Sequence, residues 1–159
     1  MRGLALGAAA LTLALAGCGG GSSPTGTTSS VPGNANPEDV QVIQDWVTAL
    51  NHNDINGAAT FFALPSVAEN GLLFHLRTPG QVRAFNASLP CGAHVVSATS
   101  VGRVTTATFR LSERPGPGFC GGGKGGTAKT SFVISNGKIV QWRRVGPGGG
   151  SQQAPSSAA

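Results

Sequence analysis

The chain has 159 residues, 40% of them hydrophobic, with three cysteines, three histidines, no tyrosine and a formal net charge of +5. Residues 19–35 and 146–159 are poor in anything that packs, so the part with a core to build is residues 36–145, enough for one domain and too short for two. Residues 18–99 carry two cations and five anions, whereas residues 100–159 carry eight cations against Glu113 alone. The scattered histidines and cysteines have no metal-ligand spacing, and neither a metal nor another cofactor is expected.

The N-terminus has the parts of a secretory signal peptide: Arg2, a short apolar run from Leu4 to Ala16, then small residues. The run falls short of the roughly 20 residues needed to span a bilayer. Leu15-Ala16-Gly17-Cys18 resembles a bacterial lipobox. That resemblance implies cleavage before Cys18 and acylation of its thiol and new amino group. Each buried methylene contributes about 0.8 kcal/mol, and two or more chains anchor stably where one does not. Residues 1–17 are therefore read as a lipoprotein signal peptide, residues 18–35 as a flexible linker and residues 146–159 as a disordered tail. The expected location is the extracytoplasmic face of the cell membrane, with membrane lipid as the partner of Cys18. A nucleic-acid partner for the basic half is excluded by that address; anionic headgroups or cell-wall polymer suit it better. With Cys18 committed to lipid, Cys91 and Cys120 form an even pair in an oxidising compartment and are expected to bridge. Closing a loop of 29 residues stabilises by about 3–4 kcal/mol in the chain-entropy model.

The first helix opens with Asn36 as cap, Pro37 at the first helical position and Glu38 and Asp39 against the positive end of the dipole. Val40, Ile43, Trp46, Val47 and Leu50 repeat at helical spacing. A short second helix, capped by Asp54 and packing through Ile55, Ala58, Ala59, Phe61 and Phe62, is expected to end at Pro65. Leu72 to Arg77 reads as a strand after the turn Asn70-Gly71. Thr78-Pro79-Gly80-Gln81 has capping-box spacing and opens a third helix that stops before Pro90. Ala93 to Val101, Val104 to Glu113, Thr127 to Ser135 and Lys138 to Val145 read as strands. Asn136-Gly137 suits a two-residue type I′ hairpin, and counting outward opposes Ile134 with Ile139, Val133 with Val140 and Phe132 with Gln141. The face with Phe132, Ile134 and Ile139 is the better core face, but Trp142 then falls on the other one.

Helix, short helix, strand, helix and a run of antiparallel strands is an α+β order. "WVTALNHNDINGAATFF" (Trp46 to Phe62), "TPGQVRAF" (Thr78 to Phe85) and "ISNGKIVQWRRV" (Ile134 to Val145) resemble, in that order, the opening, third helix and closing hairpin of NTF2-like, SnoaL-type domains. The resemblance implies three N-terminal helices packed on a strongly curved, mostly antiparallel sheet, forming a cone with a pocket at its mouth. The family holds isomerases, dehydratases, cyclases and many non-catalytic binding domains, and fold alone does not choose among them.

Three readings follow. The first is a non-catalytic domain that takes a small apolar ligand, or a protein partner, in a pocket near Trp46, Phe62, Leu64, Phe85 and Trp142. The second is an acid–base isomerase, dehydratase or cyclase using Glu69 in "FFALPSVAEN" and His75 in "LLFHLR"; it requires both side chains to point into one cavity. His94 is a further pocket acid or base to place, whereas His52 reads as a turn residue. The third is a basic interaction module docking on the anionic envelope. Gly118 to Lys124 fits the frame of a phosphate-binding loop, but Gly125 stands where its Ser or Thr belongs, and a strand follows instead of a helix. Asn86-Ala87-Ser88 matches a glycosylation sequon by pattern only. Whether the domain forms a homodimer through its sheet is left open.

Overall fold

A computed structural model describes residues 31–116 and 118–146. The signal peptide, Cys18, the linker up to residue 30 and the tail after Gly146 lie outside the described residues. Helix α1 (Pro37–Asn51) begins as its sequence dictates: the Asn36 side chain accepts from the Glu38 N–H at 2.9 Å, and Pro37 takes the first helical position. Its apolar stripe buries Ile43, Trp46, Val47 and Leu50. Helix α2 (Ile55–Thr60) is capped by Asp54, which accepts from the Gly57 N–H at 2.8 Å. The second helix does not run to Pro65. It stops at Thr60, and Phe62–Glu69 forms strand β1, between β2 (Leu73–Leu76) and the last strand. Pro65 falls in an irregular stretch where the register against that strand shifts between Phe62 and Val67. A residue with no N–H to give is tolerated at such a break in the ladder.

Helix α3 (Pro79–Ser88) carries the expected capping box, with Thr78 Oγ1 accepting from the Gln81 N–H and Gln81 Oε1 accepting from the Thr78 N–H at 3.1 Å. Strands β3 (Gly92–Val101), β4 (Val104–Ser112), β5 (Thr127–Ser135) and β6 (Lys138–Val145) complete one six-stranded sheet in the order β2-β1-β6-β5-β4-β3. All its pairs are antiparallel except β1 with β6. The result is the α+β class with three helices on a curved sheet. Among the described residues no helix is long and apolar enough to cross a membrane.

Two bulges determine which residues face inward. In β6 the hairpin starts in the expected register, with φ of +51° at Asn136 and +69° at Gly137 and Ile134 opposite Ile139. The register then shifts, so that Val133 opposes Gln141 and Phe132 opposes Trp142. Uninterrupted counting had paired Val133 with Val140 and Phe132 with Gln141. The extra residue at Val140 turns Trp142 and Arg144 to the side that already holds Ile139 and Phe132. A second shift, between Val95 and Ser97, bends β3 in the same way. Extra residues of this kind increase local twist and bend a strand.

The helices and the sheet meet at a cluster of aromatic rings. The Trp46 indole makes edge contacts with Phe62, Phe132 and Trp142 at centroid distances of 6.2, 5.8 and 6.4 Å. Phe85 closes on Phe62 and Trp142 at 5.9 and 5.2 Å. The Trp46 indole N–H donates to Asn86 Oδ1 at 2.8 Å, and the Asn86 amide donates back to the Val82 carbonyl at 2.9 Å.

Residues 31–35, read from the sequence as linker, belong to the fold. The carbonyls of Pro32 and Asn34 accept from the N–H groups of Ala98 and Ser100 at 3.0 and 3.2 Å, and Val31 and Ala35 pack on the core. Gly33, at φ +128°, lies so close to the Ala98 carbonyl that no side chain fits there. This strap covers backbone groups on the outer edge of β3, an edge that would otherwise offer itself to another strand.

Because Asn86 is fully buried, Asn86→Ala leaves the Trp46 N–H without an acceptor and should destabilise the fold by about 2 kcal/mol. Urea unfolding followed by tryptophan fluorescence measures it; an unchanged midpoint would show that the hydrogen bond contributes nothing.

Candidate functional site

A cavity of about 280 Å³ opens between α1 and the inner face of the sheet. That is close to the lower end of the range for small-molecule sites, about 300–1,000 Å³. Its walls are apolar: Trp46, Val47 and Leu50 from α1, Phe109 and Leu111 from β4, and Trp142 from β6. Pro90 and Arg144 are exposed and mark the mouth. Asn70 and Thr130 are the remaining polar side chains of the lining.

One wall is held by a covalent bond. Cys91 and Cys120 are disulfide-linked, with Cα atoms 4.6 Å apart, and both line the cavity. Gly123 backs onto the two sulfurs; a Cβ there would sit 3.3 and 3.4 Å from them. The glycine-rich stretch makes a 3₁₀ turn at Gly121–Gly123, is tied to the end of β4 by hydrogen bonds between Leu111 and both Gly125 and Gly126, and leads into β5. It is a cystine-pinned loop with no helix behind it to complete a phosphate site.

The end of α1 is fixed to β3 by the Asn51 side chain, whose amide donates to the Ala93 carbonyl at 2.8 Å while its oxygen accepts from the Ala93 N–H at 2.9 Å. Arg114, in the loop after β4, is buried and reaches the last turns of two helices. It donates to the carbonyls of Leu50, Asn86 and Ala87, each at 3.3 Å. Burial lowers its pKa from the usual arginine value, yet a guanidinium stays charged in proteins, and a cation suits helix C-termini. Nothing in the local sequence marks Arg114 for this task; its position between two helix ends is a property of the fold.

The residues singled out from sequence divide sharply. Trp46 and Trp142 line the cavity. Phe62 and Phe85 are buried in the ring cluster behind it and do not line it, because their edges are taken up by Trp46, Trp142 and each other. Leu64, 46% exposed beside Pro65, is not part of the lining either. Glu69 and His75 are not brought into one cavity. Ala68 opposes Trp142 on the inner face, so Glu69 points outward, where it pairs with Arg143 at 3.1 Å. His75 opposes Val67 and shares that outer face. His94 likewise sits outward, opposite Arg110. The acid–base couple fails on strand alternation: once β1 is a strand, its odd-numbered residues from Val67 onward leave the core. No Asp, Glu, His or Lys side chain lines the cavity among the described residues, nor do these residues form a metal-binding cluster.

No protein-family model matches the chain, and no curated protein matches it significantly. Solved structures do match in fold. A candidate polyketide cyclase from Sinorhizobium meliloti superposes with a TM-score of 0.54 at 19% identity, over 66% of this chain and 94% of its own. An NTF2-like protein from Cytophaga hutchinsonii gives 0.53 at 10% identity, over 67% and 87%. A protein with a ketosteroid isomerase-like fold from Catenulispora acidiphila, solved with trimethylamine, gives 0.53 at 13% identity, over 67% and 85%. These likenesses establish an NTF2-like fold for the chain. They do not transfer an activity to it.

Replacing Cys91 and Cys120 together by serine should lower stability by about 3–4 kcal/mol, the loop-closure value for a separation of 29 residues. Urea midpoints of the wild type with and without reductant should show the same loss, and equal midpoints would remove the cystine from any stabilising role.

Proposed function

We propose that this domain is a non-catalytic binder of a small apolar molecule, presented at the outer face of a cell membrane by acyl chains on Cys18. The observation that carries the binding reading is the chemistry of the cavity wall. Tryptophan, aliphatic and phenylalanine surfaces enclose the space, and no side chain that could shuttle a proton near neutral pH lines it among the described residues. The carboxylate that would serve as a base is held by Arg143 on the opposite face. The membrane reading is supported by the sequence of residues 1–18 alone.

Both tryptophans of the chain line the cavity, so their fluorescence reports its contents directly. Titration of the full-length protein with a panel of small apolar and amphipathic molecules should quench or shift that emission at saturable concentrations. Ala128→Phe places a ring in the space beside Thr130 and should abolish the response without unfolding the domain. Failure of every panel member, or binding unaffected by Ala128→Phe, would overturn the binding reading. Cys18→Ala should release the protein from membranes and abolish incorporation of a labelled fatty acid; unchanged labelling would overturn the anchor.

A further inference from the structure

We infer that the ligand of this cavity is a small monoanion, an apolar body ending in a carboxylate, and that Arg144 receives its charged end. The inference rests on the binding reading above and adds the chemical class of the ligand to it. Three polar side chains of the lining stand side by side on the inner face of the sheet at the mouth. Arg144 on β6 is directly opposite Thr130 on β5. Asn70 follows Glu69, whose partner across β1–β6 is Arg143, and so comes level with Arg144 on the other flank. The row crosses β5 and β6 and reaches the residue just past β1, at the end of the cone where the apolar walls stop.

Three other buried polar groups around the helices are engaged, whereas the Trp142 indole N–H on the cavity wall has no partner among the described residues. Asn51 is paired with Ala93, Asn86 with Trp46 and Val82, and Arg114 with three helix carbonyls. By contrast, the side chains of Asn70, Thr130 and Arg144 make no hydrogen bond or ion pair with any described residue. Glu69 does not neutralise Arg144, because it points to the outer face and is held by Arg143. Among the described residues, therefore, nothing compensates the Arg144 guanidinium, which is flanked by an amide and a hydroxyl above a mostly apolar interior.

That set of donors defines the head of the ligand. A guanidinium offers a planar fork that matches a carboxylate in two parallel hydrogen bonds. Neutral donors at Asn70 and Thr130 can complete the shell without adding charge. A single cation balances a monoanion, whereas a phosphate dianion would leave charge uncompensated at the mouth. An ammonium head would meet repulsion from Arg144. The apolar part then lies against Trp46 and Trp142, within about 280 Å³, which restricts it to a short chain or a single ring.

The test uses three probes that share one chain, octanoate, octanol and octylamine, titrated into the full-length protein while the fluorescence of Trp46 and Trp142 is followed. Octanoate should bind about tenfold or more tightly than octanol, the difference expected of a charge-assisted pair, and octylamine most weakly. Arg144→Gln should bring octanoate down to the affinity of octanol and leave octanol unchanged, and Arg144→Lys should retain part of the preference. Raised salt should weaken octanoate binding alone, because Arg144 is exposed at the mouth. Equal binding of octanoate and octanol, or an octanoate affinity indifferent to Arg144→Gln, would overturn the carboxylate assignment while leaving the cavity a binding site. Silence from all three probes would overturn both.

Discussion

The contact between Trp46 and Asn86 is the point on which the rest of the architecture depends. One indole on α1 donates its N–H to an amide on α3 and spends its ring edges on Phe62, Phe132 and Trp142 from three different strands. Asn86 supplies the acceptor that a buried tryptophan N–H usually finds, and in doing so holds α3 down onto α1. Phe85 then follows, since it lies on the same helix one residue away, and it seals the cluster against Trp142. The packed half of the cone is set by this arrangement; the other half, beyond Trp46 and Trp142, is where the cavity lies.

That division depends on register. Without the extra residue at Val140, Trp142 and Arg144 would fall on the outer face, and the inner face would receive Gln141 and Arg143 in their place. The cavity would lose an aromatic wall and Arg144, the one ionisable group of its lining among the described residues, together. A bulge of one residue thus decides both the shape of the hollow and its charge. The sheet also uses the opposite face consistently: Glu69 and Arg143 are paired there at partly exposed positions, where an ion pair contributes about 1 kcal/mol at most.

Local signals in the sequence were readable because each is complete within a few residues. Asn36-Pro37, Asp54, the Thr78 to Gln81 box and Asn136-Gly137 specify caps and a turn by their own side chains and backbone preferences, and the structure shows all four. The cystine was legible from the count of cysteines once Cys18 was set aside. Strand β1 was not legible: "FFALP" continues a helical run of small and apolar residues, and its strand character comes from pairing with β2 beyond the turn and with β6, distant in the chain. Missing that strand hid the alternation that turns Glu69 outward, so the candidate site was wrong there for the same reason. Of the five residues placed at the pocket, the two tryptophans line it, whereas Phe62 and Phe85 proved to be packing behind it, a difference of depth that periodicity does not encode. The row of Asn70, Thr130 and Arg144 required the bulge to be seen first.

The strap of residues 31–35 has a mechanical consequence. The chain enters the domain alongside β3, running parallel to it, and its two carbonyls hang on the N–H groups of Ala98 and Ser100 before α1 begins. Any pull arriving from the N-terminal side meets those two bonds first. They form a clasp: tension peels the strap from the sheet edge, and lifts Val31 and Ala35 off the core, before it reaches α1.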